Sequence, residues 1–92
     1  MHKNDLVKKV AEDTGVSSRD AEAVVNSVFA TIADTISAGN KVVVTGFGTF
    51  ERKTRKARKG RHPSTGDVID IPEKFAASFS PGKLLKEQVE KG

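Results

Sequence analysis

The period of the hydrophobic pattern changes near residue 41, and this change restricts the fold more than any other feature of the sequence. Up to residue 40, apolar residues recur at steps of three and four, as in amphipathic helices. From residue 41, β-branched residues and an alternating pattern indicate strands. Helical spacing returns only at Leu84, Leu85 and Val89. The predicted order is two helices, three strands and a helix, which is an α+β fold.

The first predicted helix is short and has one apolar face. Leu6 and Val10 fall on that face, and Gly15 is expected to end the helix. Asn4 is the better candidate for the N-terminal cap, because its side chain accepts hydrogen bonds from the first turn. His2 is the poorer candidate.

The second predicted helix is about five turns long. Residues 17–20 (SSRD) match a capping box, and Gly39 stands where a helix end favours a left-handed residue. The helix carries an apolar stripe broad enough to serve both the core of one chain and a partner subunit. The members of the stripe are Ala21, Val24, Val25, Val28, Phe29, Ile32 and Ile36.

Three strands are predicted after residue 40, and the last two form a hairpin. Residues 63–66 (PSTG) have strong turn chemistry and stand at its tip. Ser80 and Pro81 are predicted to start the final helix, as its cap and its first residue. The strand segments are residues 41–45, residues 49–61 after a turn at residues 46–48, and residues 67–72.

The positive charge is concentrated in one segment. The chain of 92 residues has a net charge of +4, whereas residues 41–62 alone contain eight basic residues and one acidic residue. The flanking regions are mildly acidic. Seven of the ten residues 52–61 are Arg or Lys. Such a concentration is a stronger sign of a polyanion partner than the net charge itself.

We interpret the basic segment as a β-hairpin arm that binds nucleic acid, in preference to a solvated tail or a localisation signal. Strand-forming residues flank it, and a turn and a returning strand complete it. About ten residues at roughly 3.3 Å each make an arm of about 30 Å. Residues 52–61 contain no Asn or Gln to read base edges. The arm is therefore suited to affinity more than to sequence specificity.

Pro63 stands at the tip of the predicted arm, and two interpretations apply to it. A proline in a turn restricts φ and needs no further role. A rigid ring at the end of a basic arm is also able to enter a base step and kink the duplex.

Three segments closely resemble the bacterial HU and integration host factor family, and HU in particular. They are residues 46–51 (GFGTFE), 58–66 (RKGRHPSTG) and 79–83 (FSPGK), and the similarity extends over essentially the full chain. The resemblance implies an intertwined dimer in which each subunit sends one β-hairpin arm around double-stranded DNA. The implied single domain comprises a helical dimerisation base (1–40), a sheet (41–80) with the arm at about 52–74, and a C-terminal helix (81–92).

The resemblance also implies roles for individual residues. Pro63 corresponds to the intercalating proline of the family. The implied DNA contacts are Lys53, Arg55, Arg58, Lys59, Arg61 and His62 in the arm, with Lys3, Gly46, Lys83 and Lys86 on the body. We expect dimer or core packing, in preference to base stacking, from Val28, Phe29, Ile32, Val44, Phe47, Phe50 and Phe79.

The sequence departs from the family pattern in three places. His62 precedes the wedge proline where Asn or Lys is usual. Ala76 and Ala77 replace a second proline, which is expected to loosen the return of the arm. His2 stands where Asn is frequent.

Other function classes find little support. The chain has no cysteine and only two isolated histidines, so neither a metal site nor a cofactor is expected. Its carboxylates are scattered without a nucleophile–base pair, so neither an enzyme nor a small-molecule substrate is expected. No apolar run is long enough for a membrane span, so we expect an intracellular protein. The family resemblance implies the cytoplasm and, within it, the bacterial nucleoid.

Several alternatives remain open at this point, among them a purely structural dimer whose arm recruits acidic proteins. The chain is either a homodimer or a heterodimer with a paralogue. It is either non-specific, as HU is, or a site-preferring subunit similar to integration host factor. From a different class, a basic RNA-binding or ribosome-associated protein also fits the charge, although the deep, narrow groove of A-form helices suits this arm poorly.

Overall fold

A computed structural model describes all residues, 1–92, and confirms the α+β class. The chain divides into two compact units, Met1–Asp34 and Thr35–Gly92. The division into a helical base, a sheet and a C-terminal helix within one domain stays a prediction. The helices are α1 (Lys3–Thr14), α2 (Ser18–Ser37) and α3 (Lys83–Lys91), and the strands are β1 (Val42–Val44), β2 (Gly48–Arg55), β3 (Arg58–Arg61), β4 (Val68–Ile71) and β5 (Lys74–Pro81).

The first unit has a small apolar core between α1 and the first part of α2. Val7, Ala21 and Val25 are buried, and Val10 and Ala11 pack against them. These residues recur at helical spacing, so each helix presents one face to the other. A core of this size leaves most of the apolar stripe of α2 uncovered within a single chain.

The start of α1 differs from the prediction. The N-cap is His2, and Asn4 lies inside the first turn. The backbone N–H of His2 donates to Asp5 Oδ2 at 2.9 Å, so the carboxylate of the third helical residue satisfies the cap backbone. Asp5 therefore determines the start of the helix.

The predicted ends of α2 are confirmed. Ser17 Oγ accepts a hydrogen bond from the N–H of Asp20 at 3.1 Å, which is the forward half of the predicted capping box. Gly39 has a φ of +89°, and its N–H donates to the Ile36 carbonyl at 3.0 Å. The left-handed glycine thus satisfies a carbonyl that the last helical turn leaves open.

The main sheet has three antiparallel strands in the order β1-β2-β5, and its third strand is not the predicted one. The predicted third strand corresponds to β4, which pairs with β3 in a separate two-stranded sheet. Ser80 and Pro81 end β5, so the prediction that they start the last helix is wrong. The cap of α3 is Gly82, whose N–H donates to the Phe47 carbonyl at 2.8 Å.

A cluster of three aromatic rings explains why β5 continues this far. The Phe79 ring lies 4.7 Å from the Phe50 ring and 5.4 Å from the Phe47 ring, measured between centroids. Phe50 and Phe79 are direct cross-strand partners, a pairing that stabilises antiparallel sheets.

None of the three helices combines the length and the apolar character needed to cross a bilayer.

Gly48 is required at the centre of this cluster, and we expect Gly48→Ala to destabilise the fold strongly. A Cβ atom at this position would lie 2.6 Å from two carbons of the Phe79 ring and 2.6 Å from the Ser80 carbonyl oxygen. Because the backbone oxygen cannot move without breaking the β2–β5 ladder, we expect a loss of about 2–3 kcal/mol. Thermal unfolding measures the effect. Gly66→Ala separates backbone strain from crowding, since Gly66 has a φ of +75°, where alanine is strained, but no atom lies within 4 Å of its Cβ position. Equal melting temperatures for Gly48→Ala and the parent would contradict this packing.

Candidate nucleic-acid interface

The predicted arm is one hairpin with a constant register, although it belongs to two sheets. Arg55 pairs with Lys74 at the end of the main sheet, and Arg58 pairs with Ile71 at the start of the outer sheet. Each strand advances by three residues between these pairs, so no bulge shifts the alignment. The hairpin therefore extends continuously from Gly48 and Pro81 to the tip.

The ladder is interrupted once, between the two sheets. In the shared register, Ala57 stands opposite Pro72 and Lys56 opposite Glu73, and these positions lie outside the strands. Proline has no N–H to donate, which removes a hydrogen bond from the ladder at this place. The arm consequently has an inner section, formed by β2 and β5 of the main sheet, and an outer section formed by β3 and β4 alone.

The cations of the outer arm are exposed and have no carboxylate partner. None of the chain's three ion pairs involves a basic residue beyond Lys53. Lys59 is in register with Asp70, yet the two side chains form no ion pair. Their charges are therefore available to an external anion. The residues in this state are Arg55, Lys56, Arg58, Lys59 and Arg61.

Lys53 lies in a different electrostatic environment from the outer cations. Its Nζ is 4.0 Å from Glu51 Oε1, and Lys41 Nζ is 3.6 Å from Glu51 Oε2. Both lysine side chains are more than half exposed, whereas Glu51 is half-buried, and with the lysines in water these pairs contribute little to stability. Lys53 is thus partly neutralised at the base of the arm, whereas the outer cations are not.

The outer arm has a few apolar contacts, which depend on close packing of β4 side chains against the backbone of β3. A Cβ atom on Gly60 would lie 2.9 Å from Cδ1 of Ile71, and Ile69 lies on the same side. Glycine therefore lets the returning strand lay its isoleucine side chains across β3.

The tip is a compact turn held by its own hydrogen bonds. The N–H of His62 donates to the Asp67 carbonyl at 2.7 Å, and the N–H of Gly66 returns to the His62 carbonyl at 2.9 Å. His62 Nδ1 also accepts from the N–H of Ser64 at 3.2 Å. Pro63 is exposed at this end of the molecule. His62 is thus a structural part of the turn that carries the predicted wedge.

A second group of predicted contacts comes together at the start of α3. Gly46 adopts a φ of +83° in the turn between β1 and β2, and Leu84 Cδ1 lies 3.7 Å from its Cβ position. The turn and the helix start are therefore adjacent. Lys83 is the first residue of α3, and the N–H of Lys86 donates to the Gly82 carbonyl at 3.0 Å. Helix N-termini offer amide groups to anions, which suits a phosphate contact beside Lys83.

The remaining predicted contact, Lys3, is the first residue of α1 and belongs to the first unit. The structure therefore groups the predicted contacts into an arm set, a set at the start of α3, and Lys3. Sequence reasoning also counted Arg52 among the seven arm cations. That side chain is engaged within the protein, since its guanidinium carbon lies 3.9 Å from the centre of the Phe75 ring.

Comparison with known proteins gives consistent results over the whole chain. The profile of a family described as bacterial DNA-binding protein matches residues 1–90. The SPbeta prophage-derived DNA-binding protein HU 2 of Bacillus subtilis is 49% identical over 89 residues, which cover 97% of both chains. DNA-binding protein HU of Geobacillus stearothermophilus is 45% identical over 97% of this chain and 99% of its own.

Solved structures agree with the sequence relatives. The chain is similar to HU in the Anabaena HU–DNA cocrystal structure, with a TM-score of 0.90, 42% identity and full coverage of both chains. It is also similar to HU from Thermotoga maritima, with a TM-score of 0.68 and 28% identity over 97% of this chain and 98% of the other.

Proposed function

This chain belongs to the bacterial DNA-binding protein family that includes HU, and on that premise we propose how it engages DNA. It is a histone-like architectural protein that binds double-stranded DNA. In our proposal it does so largely without regard to sequence, as a homodimer, and within the bacterial nucleoid. Two arms enter the minor groove and bend the duplex.

The observation that carries this proposal is the row of unpaired cations on a narrow ribbon. Each cation that replaces a condensed counterion on phosphate contributes affinity, and this contribution falls steeply as salt is added. A two-stranded ribbon is slim enough to follow a groove.

Minor-groove binding follows from what the arm lacks. Discrimination among all four base pairs takes place in the major groove through side chains such as Asn and Gln. β3 carries Arg and Lys around Gly60, and β4 carries three apolar residues and one carboxylate, Asp70. Such a surface detects groove shape and charge, and it favours DNA that is already kinked or flexible.

A second copy of the chain is the proposed cover for the apolar face of α2. Val28 and Phe29 are 51% and 47% exposed in the single chain, and they surround an open apolar cleft of about 260 Å³. Only three apolar side chains are buried in the whole chain. Since small domains without disulfides often gain stability from oligomerisation, a symmetric dimer is the simplest solution. The seven residues predicted for the dimer or core, Val28, Phe29, Ile32, Val44, Phe47, Phe50 and Phe79, are all exposed or partly exposed in the single chain.

Replacing the tip proline tests the bending mechanism. We expect Pro63→Ala to reduce the bend angle clearly while DNA affinity changes by no more than a few-fold, because the ring acts on base stacking and the cations bind phosphate. Fluorescence energy transfer between dyes at the two ends of a duplex measures both quantities. Pro72→Ala is the matched control, since it removes the other arm proline and leaves the tip intact. An unchanged bend with Pro63→Ala would reject the wedge.

A salt titration over several unrelated duplexes tests the lack of specificity. We expect similar affinities and parallel salt slopes for all of them. Differences of several hundredfold between sequences would instead favour a site-preferring subunit similar to integration host factor. A clear preference for duplex RNA would favour the RNA-binding alternative.

A further inference from the structure

We propose that Arg52 is a positioning residue that fastens the root of the arm to the end of α2, and not one of the phosphate contacts. The effect of Arg52 on DNA bending rests on the proposed function. The contacts of Arg52 are present in the free protein. Two contacts of one guanidinium group and the space left for it beside Gly39 support the proposal.

The first contact is with the end of a helix. Arg52 Nη1 donates to the Ser37 carbonyl oxygen at 3.0 Å, and Ser37 is the last residue of α2. Helix C-termini carry unsatisfied carbonyls and partial negative charge, which a cation stabilises. The last turn of α2 contains no basic residue of its own. Arg52 supplies the missing cation from a strand.

The second contact is with an aromatic ring. The guanidinium carbon of Arg52 lies 3.9 Å from the centre of the Phe75 ring, well within the range of a cation–π interaction. In the β2–β5 register, Arg52 stands opposite Ala77 and Phe75 opposite Thr54, so the two side chains meet on the diagonal. The small side chain of Ala77 leaves room for this approach.

The third observation is that the residue ending α2 leaves space for the guanidinium group of Arg52. A Cβ atom on Gly39 would lie only 3.1 Å from Arg52 Nη2. The left-handed glycine that ends α2 therefore also leaves space for the guanidinium. Arginine suits this position better than lysine, because a flat group with several donors can stack and hydrogen-bond at once.

Arg52 lies where the hairpin loses the support of the third strand. The pairing of β1 with β2 ends at Phe50, so β2 has a third strand beside it only up to that residue. From Arg52 outwards the hairpin has two strands, and such ribbons are marginally stable. Arg52 thus anchors the hairpin where the support of the third strand stops. The direction in which the arm leaves the body is then determined by the end of α2.

The test compares five variants of the full chain, free and bound to a duplex. Arg52→Gln and Phe75→Leu each remove one side of the contact, and the double variant removes both. Lys53→Gln is the matched control, since it removes the neighbouring cation without touching the ring. In the free protein, we expect amide hydrogen exchange at residues 52–54 and 75–77 to accelerate about fivefold in both single variants. The double variant should add little, and Phe75→Tyr should retain the parent rate.

On DNA, the two roles predict different results. A positioning role broadens the distribution of bend angles in Arg52→Gln and Phe75→Leu while leaving the salt slope at the parent value. A phosphate contact lowers the slope by about 0.9 per site, as we expect for Lys53→Gln. If Arg52→Gln lowers the slope equally and Phe75→Leu behaves as the parent in exchange and bending, the assignment is wrong. A parent chain that fails to bind duplex DNA would reject the proposed function, whereas the exchange rates would still decide whether the contact exists.

Discussion

Removing the outer arm should abolish most DNA binding while leaving the body folded. Arg55 and Lys74 are register partners, so a two-residue Asn-Gly turn can replace residues 56–73 and close the shortened hairpin. The excised segment contains Lys56, Arg58, Lys59 and Arg61, together with the tip. We expect the affinity for a duplex at moderate salt to fall on the order of a hundredfold or more, because each lost phosphate contact removes counterion release.

The salt dependence shows how much of this loss is electrostatic. Four cations are lost per chain, and twice that number per dimer, so the slope of log K against log salt should become shallower by up to about 7. A variant that retains the whole arm but carries Gln at positions 58, 59 and 61 is the matched control. It should lose affinity while retaining the reach and the tip. If the shortened chain binds and bends DNA as well as the parent, the arm is not the binding element.

A charge on the apolar face of α2 should prevent assembly and, with it, stable folding. Phe29→Glu places a carboxylate among apolar groups that we propose to be covered by a second copy. An uncompensated charge in such an interface costs several kcal/mol, and a symmetric dimer contains it twice. The single chain has only a small core around Val25 with which to resist this loss. We therefore expect the variant to sediment as a monomer and to lose most of its cooperative thermal unfolding.

The control for this experiment lies on the other side of the same helix. Ser27→Glu introduces an identical charge on the exposed polar side of α2, where it should alter the melting temperature little. The parent should show a melting temperature that rises with protein concentration, as expected when folding is coupled to association. A Phe29→Glu chain that sediments and melts as the parent does would show that this face is not an interface.

Local signals near each residue were sufficient for much of the fold. The period of the apolar residues predicted all three helices, and Ser17 and Gly39 marked the ends of α2 because capping depends on residues within one turn. The hairpin and its tip followed from turn chemistry and strand propensity. The location of the basic arm followed from the concentration of charge, which needs no knowledge of packing.

The error at the start of the last helix comes from pairing between distant residues. Ser80 and Pro81 have the composition of a helix start, yet the partner strand β2 extends β5 through both of them. Local preference at these two positions is weaker than a ladder of hydrogen bonds with an aromatic pair beside it. The error at the start of α1 has a local cause instead: Asn4 is a good cap by type, but the side chain of Asp5 accepts from the backbone N–H of His2 and the helix starts there.

The sequence by itself determined the class of the fold, the caps of α2, the position of the arm and the concentration of its charge, because each depends on neighbouring residues or on composition. Only the tertiary structure decided which strand completes the sheet and where α3 begins. It also separated one arm cation, Arg52, from the others. A guanidinium group has the same charge wherever it lies, and only its contacts with the end of α2 and the ring of Phe75 hold it against the surface of the protein.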